Sequence, residues 1–244
     1  MDATEKTLSV LDALEGARSR LGEIADRAQL PKSTVHRILR RLVERGYARA
    51  DGDGVYALGP RVLTMAGDLL HGLDATASAA PVLRSLHAEV GHTVHFAMLA
   101  DDEAVYLEKL VDPQLPYQFA SRIGGRIPLH CTAIGKAMLA GMAEDVVGRL
   151  ELRRRTPQTL VSADALRAEL ARVRERGFAI DDEENERNIR CVGSAVRDHT
   201  GAPTHAISVS ALTVELSQDA ALELGPRVVA AAEAVSEALG ARPG

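Results

Sequence analysis

The stretch LGEIADRAQLPKSTVHRILRRLVERGY, residues 21–47, decides the N-terminal fold. Two short helical patterns flank a break at Gln29-Leu30-Pro31. In the second, Val35, Ile38, Leu39 and Leu42 recur at helical spacing, while Lys32, Ser33, Thr34, His36, Arg37, Arg40 and Arg41 fall on the other side. An apolar stripe that docks on the first helix, with a polar, basic side left free, is what a helix-turn-helix needs to enter the major groove of double-stranded DNA. Pro31 stands where a helix can begin, because its missing N–H would be unpaired there anyway. Ser33 and Thr34 are available to cap that helix or to meet phosphate, and Gly46 ends it after about Arg45.

The local charge supports this reading although the whole chain carries a formal −5. From Arg27 to Arg49 there are seven basic residues (Arg27, Lys32, Arg37, Arg40, Arg41, Arg45 and Arg49) against one acid, Glu44. Phosphate responds to that cluster, not to the chain total. The helix N-terminus enters a groove deepest, so Ser33, Thr34, His36 and Arg37 are expected at base edges, with Arg41 and Arg45 as phosphate grips.

Outward from this core, Thr7–Leu14 has apolar residues at helical spacing and predicts a first helix. YARADGDGVYALG places Asp51-Gly52-Asp53-Gly54 between two β-prone segments, a hairpin signal. Three helices and a hairpin make a winged helix-turn-helix over residues 1–59. Pro60 to about Leu73 predicts a linking helix, and Asp74–Pro81, rich in Ala, Thr and Ser, a junction, so residues 60–80 form the linker. Residues 81–244 then predict a helix over 81–90, strands at His92–Ala100 and Ala104–Leu110, a β-prone Tyr117–Ser121, and helices at Cys131–Ala140, Glu144–Leu150 and Ala163–Arg176. Strands follow at Phe178–Asp181, Cys191–Arg197 and Thr204–Leu212, and a last helix at Ala220–Leu239. Antiparallel strands with helices at start, middle and end predict an α+β domain with one sheet.

Hydrophobic content is 46%, with 3% aromatic residues and no Trp, so the core must be built from Ala, Val, Leu and Ile. No apolar run approaches the ~18 residues of a membrane span, and MDATEKTL has no signal-peptide character. Cys131 and Cys191 lie far apart without CxxC spacing; free thiols and a cytoplasmic setting are expected.

Several longer segments resemble one family. SVLDALE, the stretch from LGEIADRAQLPKSTVHRILRRLVERGY to YALGPRVL, GGRIPLHCTAIGKAMLA, and RGFAIDDEENERNIRCVGSAVRDHTGAPTHAISVSA are similar, in order, to IclR-type bacterial transcriptional regulators. The resemblance implies a GAF-like C-terminal domain that binds a small organic or aromatic acid, a homodimer or a tetramer, no cofactor, and control of operator affinity by the bound effector. By motif position it puts the pocket at Thr132, Ala133, Ile134 and Gly135, with Asp181, Cys191, Ser208 and Ser210. The chemistry is compatible: N–H groups at a helix start favour an anion, and serines two apart on a strand share a face. Departures are the acidic wing tip at Asp51 and Asp53, Asn188 and Ala211 where the family tends to have Gly, and His205, which is expected to face away from both serines.

Other readings stay open at this point. His130-Cys131 suggests a thiol nucleophile, but adjacent side chains diverge and no orienting third group is evident, so no catalytic residue is assigned. An enzyme tethered to DNA and a ligand-independent repressor remain as alternatives. His92, His95, His130 and Cys191 form no dense cluster of metal-ligand spacing, and no metal is assigned. In Asp181-Asp182-Glu183-Glu184 the last three are expected in a solvated loop and helix start.

Overall fold

The computed structural model describes residues 1–15, 18–51, 53–65, 74–112 and 119–241. The chain divides into two compact units, Met1–Leu73 and Asp74–Gly244.

In the first unit, α1 (Ala3–Asp12) starts at a capping box. Asp2 accepts from the Thr4 and Glu5 amides, and Glu5 accepts from the Asp2 amide. β1 (Ser19–Arg20) leads into α2 (Leu21–Ala28), and Gln29 closes that helix in the left-handed region at φ 53°. α3 (Lys32–Glu44) follows after Pro31, the cap position, which offers no side-chain bond, and neither Ser33 nor Thr34 caps the helix as the sequence suggested. Val10, Leu14, Ile24, Val35 and Leu39 meet in the core between the three helices. The hairpin forms as β2 (Ala48–Asp51) and β3 (Val55–Leu58), with β1 paired to the far side of β3. β1 was not foreseen, because two residues carry no readable alternation. Residues 60–65 are helical; the rest of the expected Pro60–Leu73 helix lies outside the described residues.

The second unit opens with α4 (Asp74–Val90). The expected junction at Asp74–Pro81 is therefore a correction: these residues form the first half of a helix, with Pro81 inside it. Pro81 is exposed, so the carbonyl its ring leaves unpaired lies on the solvent side. β4 (Thr93–Ala100) and β5 (Glu103–Leu110) form the expected hairpin, with a bulge at Phe96/Ala97. β6 (Arg126–Pro128) pairs with β5 and was not predicted. Of the β-prone Tyr117–Ser121, residues 117 and 118 lie outside the described residues and 119–121 are not strand. α5 (Ala133–Ala140) starts two residues later than expected, after Thr132 accepts the Gly135 amide at 3.0 Å. Glu144–Arg149 is a 3-10 turn where a helix was expected. Then come α6 (Ala163–Arg176), β7 (Ala179–Asp182), β8 (Ile189–Val196), β9 (His205–Leu212) and α7 (Gln218–Ala238). The sheet is antiparallel throughout, in the order β6-β5-β4-β9-β8-β7.

Register sorts the two faces. Thr93 pairs with Ser210, His95 with Ser208, Cys191 with Ser210, Gly193 with Ser208, and Asp181 with Cys191. Paired residues point the same way, so these polar side chains share one face. α5 covers it at close range, because a Cβ on Gly193 would lie 2.9 Å from the Ala133 carbonyl carbon. Val94, Phe96, Ile207 and Val209 alternate to the opposite face, where α4 and α7 pack. His205 stacks on Phe96 there at 5.2 Å, away from both serines, as its spacing implied.

Gly135 shows how tightly α5 is seated. A Cβ there would lie 2.3 Å from the Leu129 backbone. Gly135→Ala should therefore lower the stability of the second unit by about 1–3 kcal/mol, the usual cost of overpacking. A urea denaturation midpoint equal to that of the parent protein would show that α5 has room to shift.

Candidate functional site

The basic face of α3 is open. Lys32, Ser33, His36, Arg37, Arg40 and Arg41 are exposed and Thr34 is half-buried, while Val35, Ile38, Leu39 and Leu42 are buried. Thirteen residues at about 1.5 Å each make a rod of ~20 Å, suited to a groove ~12 Å wide. Charge along the rod is uneven. Glu44 contacts Arg41 at 2.9 Å and Arg40 at 3.5 Å, and the Arg41 hydrogen bond holds its carboxyl below the usual range. Lys32 and Arg37, nearer the N-terminus, have no carboxylate partner among the described residues. The acidic wing tip is also modified: Asp51 is paired with Arg18, so part of its charge is offset within the unit.

On the polar face of the second unit lies a cavity of about 260 Å³. An apolar cavity of roughly 150 Å³ admits benzene, so one substituted ring or a short chain fits. Its floor is His95, Tyr106, Cys191 and Ser210; its rim includes Arg122, Arg126, Arg155 and Glu186; Ser121 and Asn185 stand on its walls. His95 is 2% exposed, and burial, with Lys109 adding to it, holds its pKa down to about 3, so the ring is neutral. Its Nε2 is 2.8 Å from Ser121 Oγ and its Nδ1 3.4 Å from Ser210 Oγ. The Tyr106 ring lies 4.8 Å from it, and burial pushes the phenol pKa up. Burial likewise raises the Cys191 thiol. The floor is uncharged and rich in hydrogen-bonding groups. The Ser121 wall is fastened by Lys109, whose ammonium donates to the Phe119 carbonyl at 3.0 Å and the Ser121 carbonyl at 2.7 Å.

Of the residues the resemblance pointed to, Cys191 and Ser210 line this cavity. Thr132, Ala133, Ile134, Gly135, Asp181 and Ser208 are buried nearby but are not part of its lining. Thr132 is occupied as a cap, Ile134 belongs to the apolar core, and Gly135 has its amide taken by Thr132. Asp181, 2% exposed, accepts the Glu184 amide at 2.8 Å and the Asn185 amide at 3.2 Å, and so shapes the turn that brings Asn185 to the wall. Glu184 corrects the solvated-loop expectation: it is buried and ion-paired to Lys136, which is fully enclosed and also donates to the Ile180 carbonyl at 2.5 Å. Asp182 pairs with Arg190 at 2.5 Å. A lone Lys in the apolar helix AIGKAMLA was the signal for that buried pair. His95, Tyr106, Ser121, Arg122, Arg155 and Asn185 had no sequence signal for a shared site.

The His130-Cys131 pair does not make a nucleophile. His130 Nε2 faces the Arg153 carbonyl at 3.0 Å, and burial pushes the Cys131 thiol up to about 12. Among the described residues no group of three or more His, Cys, Asp or Glu is placed to hold a metal, and no helix is long and apolar enough to cross a membrane.

Burial raises Asp181 from an ordinary value near 3.8 to about 7. Between those values the folded protein keeps a proton that the unfolded chain releases, so stability must fall as pH rises through that window. Burial raises Glu184 in the same direction. Asp181→Asn keeps an acceptor for the two amides and removes the charge. Urea titrations from pH 4 to 8 should show a shallower decline for this variant and higher stability than the parent at pH 8; parallel curves would mean that Asp181 ionises freely.

The comparisons with known proteins agree with this architecture. Residues 3–52 match the family model described as the IclR helix-turn-helix domain, and residues 67–237 that of the bacterial transcriptional regulator IclR C-terminal. The transcriptional repressor IclR of Escherichia coli K12 is 35% identical over 227 residues, covering 90% of this chain and 82% of that protein. The crystal structure of the Thermotoga maritima IclR superposes with a TM-score of 0.76 at 29% identity, covering 97% of this chain and 98% of that one. An IclR homologue from Microbacterium hydrocarbonoxydans, complexed with 4-hydroxybenzoate, superposes with a TM-score of 0.82 at 24% identity, covering 98% and 99%. With both of its units matched, this chain belongs to the IclR family of helix-turn-helix transcriptional regulators.

Proposed function

We propose that this regulator binds an operator through α3 and that a small organic or aromatic acid, held in the sheet cavity, controls how tightly it does so. The observation that carries the reading is the cavity itself: an uncharged, hydrogen-bonding floor at the buried His95 and Ser210 and the half-buried Cys191, beneath an arginine-bearing rim. Such a mix of enclosed surface and a few convergent polar groups suits a small ligand. The resemblance adds Thr132, Ala133, Ile134, Gly135, Asp181 and Ser208, which surround the floor as supporting residues.

The control is a population shift. The protein has two arrangements, the acid prefers one, and that preference alters the spacing of two α3 helices in a homodimer or a pair of dimers. Adjacent major grooves on one face of DNA are about 34 Å apart, so a modest change in spacing changes affinity. An acid with equal affinity for both arrangements would shift nothing. Lys32, Ser33, Thr34, His36, Arg37, Arg40 and Arg41 form the DNA-contacting set, and the Glu44 pairings make Arg37 the more committed reader.

Two measurements test this. Arg37→Ala should weaken operator binding by about 1–3 kcal/mol, and Arg41→Ala by less; equal affinity for the parent and Arg37→Ala in a gel-shift titration would remove Arg37 from the interface. For the effector, a thermal-shift panel of benzoate, 4-hydroxybenzoate, phenol and short organic acids should yield a hit worth about 2.7 kcal/mol at 100 times its dissociation constant. That ligand should then move operator affinity at least about tenfold. Saturable binding with flat operator affinity refutes the control, and silence across the panel refutes the acid class.

A further inference from the structure

The resemblance would seat the acid's charge inward, at the serines and the start of α5. The geometry points the other way. We propose that the effector is a monoacid carrying a hydroxyl or carbonyl at its far end, bound with that uncharged group on the His95–Ser210 floor and its anionic group at the rim between Arg122 and Arg155. This rests on the reading of the cavity as an effector site.

Among the described residues, no cation inside is free to meet an acid. Lys136 is committed to Glu184 and the Ile180 carbonyl, and Lys109 to two carbonyls of the wall. The start of α5 is not on the lining, and its Gly135 amide is already capped. A carboxyl group does stand close by: Asp181 is paired with Cys191 across the strands, and Cys191 is part of the floor. A ligand carboxylate seated on the floor would be desolvated beside that acid, and the nearest ammonium, Lys136, is already committed to Glu184, a costly arrangement. What the floor does offer is a neutral imidazole, able to donate at one nitrogen and accept at the other, with hydroxyls beside it. That is a partner set for a hydroxyl or carbonyl. The 3.4 Å separation of His95 Nδ1 from Ser210 Oγ is long for a hydrogen bond, so a ligand group can engage either atom.

The rim is the converse. Of its three arginines, Arg126 is held by Glu103 at 3.0 Å. Arg122 and Arg155 have no carboxylate partner among the described residues. Arg155 uses only its Nε, at 3.4 Å from the Asn185 carbonyl. Its terminal nitrogens can take a carboxylate, for which a guanidinium fork is well matched. Among the described residues, Glu186 is the one acidic side chain on the lining. It disfavours a second negative charge at the rim, so a monoacid fits better than a diacid.

The test is calorimetric titration of the full chain with 4-hydroxybenzoate, benzoate and phenol, in the parent, in Arg122→Gln/Arg155→Gln, and in Ser210→Ala. Both arginines are exposed, so their replacement leaves the core intact. The double arginine variant should bind both acids at least tenfold more weakly and phenol within twofold of the parent. Added salt should weaken the acids in the parent and hardly at all in the variant. Ser210→Ala should cost 4-hydroxybenzoate and phenol severalfold and spare benzoate. If the acids keep their affinity in the arginine variant but lose it in Ser210→Ala, the charge points inward; the orientation is overturned and the effector site stands. If no probe binds the parent at millimolar concentration, the acid reading and this orientation fall together.

Discussion

A fully enclosed ammonium must be met on every side by oxygen, and in this molecule that requirement falls on Lys136. It sits in α5, whose other side chains are apolar, and reaches across to Glu184 and the Ile180 carbonyl. The helix is thereby tied to the end of β7 and to the turn after it. Asp181 binds two amides of the same turn from within. Removing one partner of such a pair leaves a charge without compensation, which costs far more than the pair itself contributes. The arrangement therefore acts less as a source of stability than as a constraint. With Lys136 in place, the turn must present Glu184 inward, and Asn185 and Glu186 fall on the cavity side.

Close packing reinforces that constraint. Gly135 and Gly193 let α5 lie against Leu129 and β8 at distances that a Cβ would forbid. Polar groups on the covered face are then withdrawn from water, and their chemistry changes accordingly. His95 loses its proton, and the phenol and thiols keep theirs. A charge-free floor beside a buried acid follows from how tightly the helix is seated. The first unit handles charge in the opposite way. α3 keeps its basic residues in water, where an ion pair such as Arg41–Glu44 is worth little and is easily exchanged for phosphate.

Much of the fold was legible because it depends on short-range pattern. α2, α3 and α6 announced themselves by apolar spacing and clear stops, and the wing by its Asp-Gly turn. The errors share a physical cause: local preference was overridden by tertiary context. The Ala- and Thr-rich run at Asp74–Pro81 reads as a junction only if one expects proline to end a helix, yet an exposed proline leaves its freed carbonyl to water. β1 and β6 are too short to show alternation and exist because longer strands beside them offer free edges.

The cavity was less legible for a different reason. Its floor is assembled by register, which no local pattern encodes. Thr93, His95, Cys191, Asp181, Ser208 and Ser210 come from four strands and share a face only once β4 pairs with β9, β9 with β8, and β8 with β7. A one-residue slip in any of those pairings would turn His95 or Cys191 to the apolar face. The family resemblance supplied members of this set by position, but it could not say which of them the packed helix would leave open to a ligand. That depends on where α5 comes to rest, and so on Lys136, a residue whose importance shows in sequence only as a charge where none would be expected.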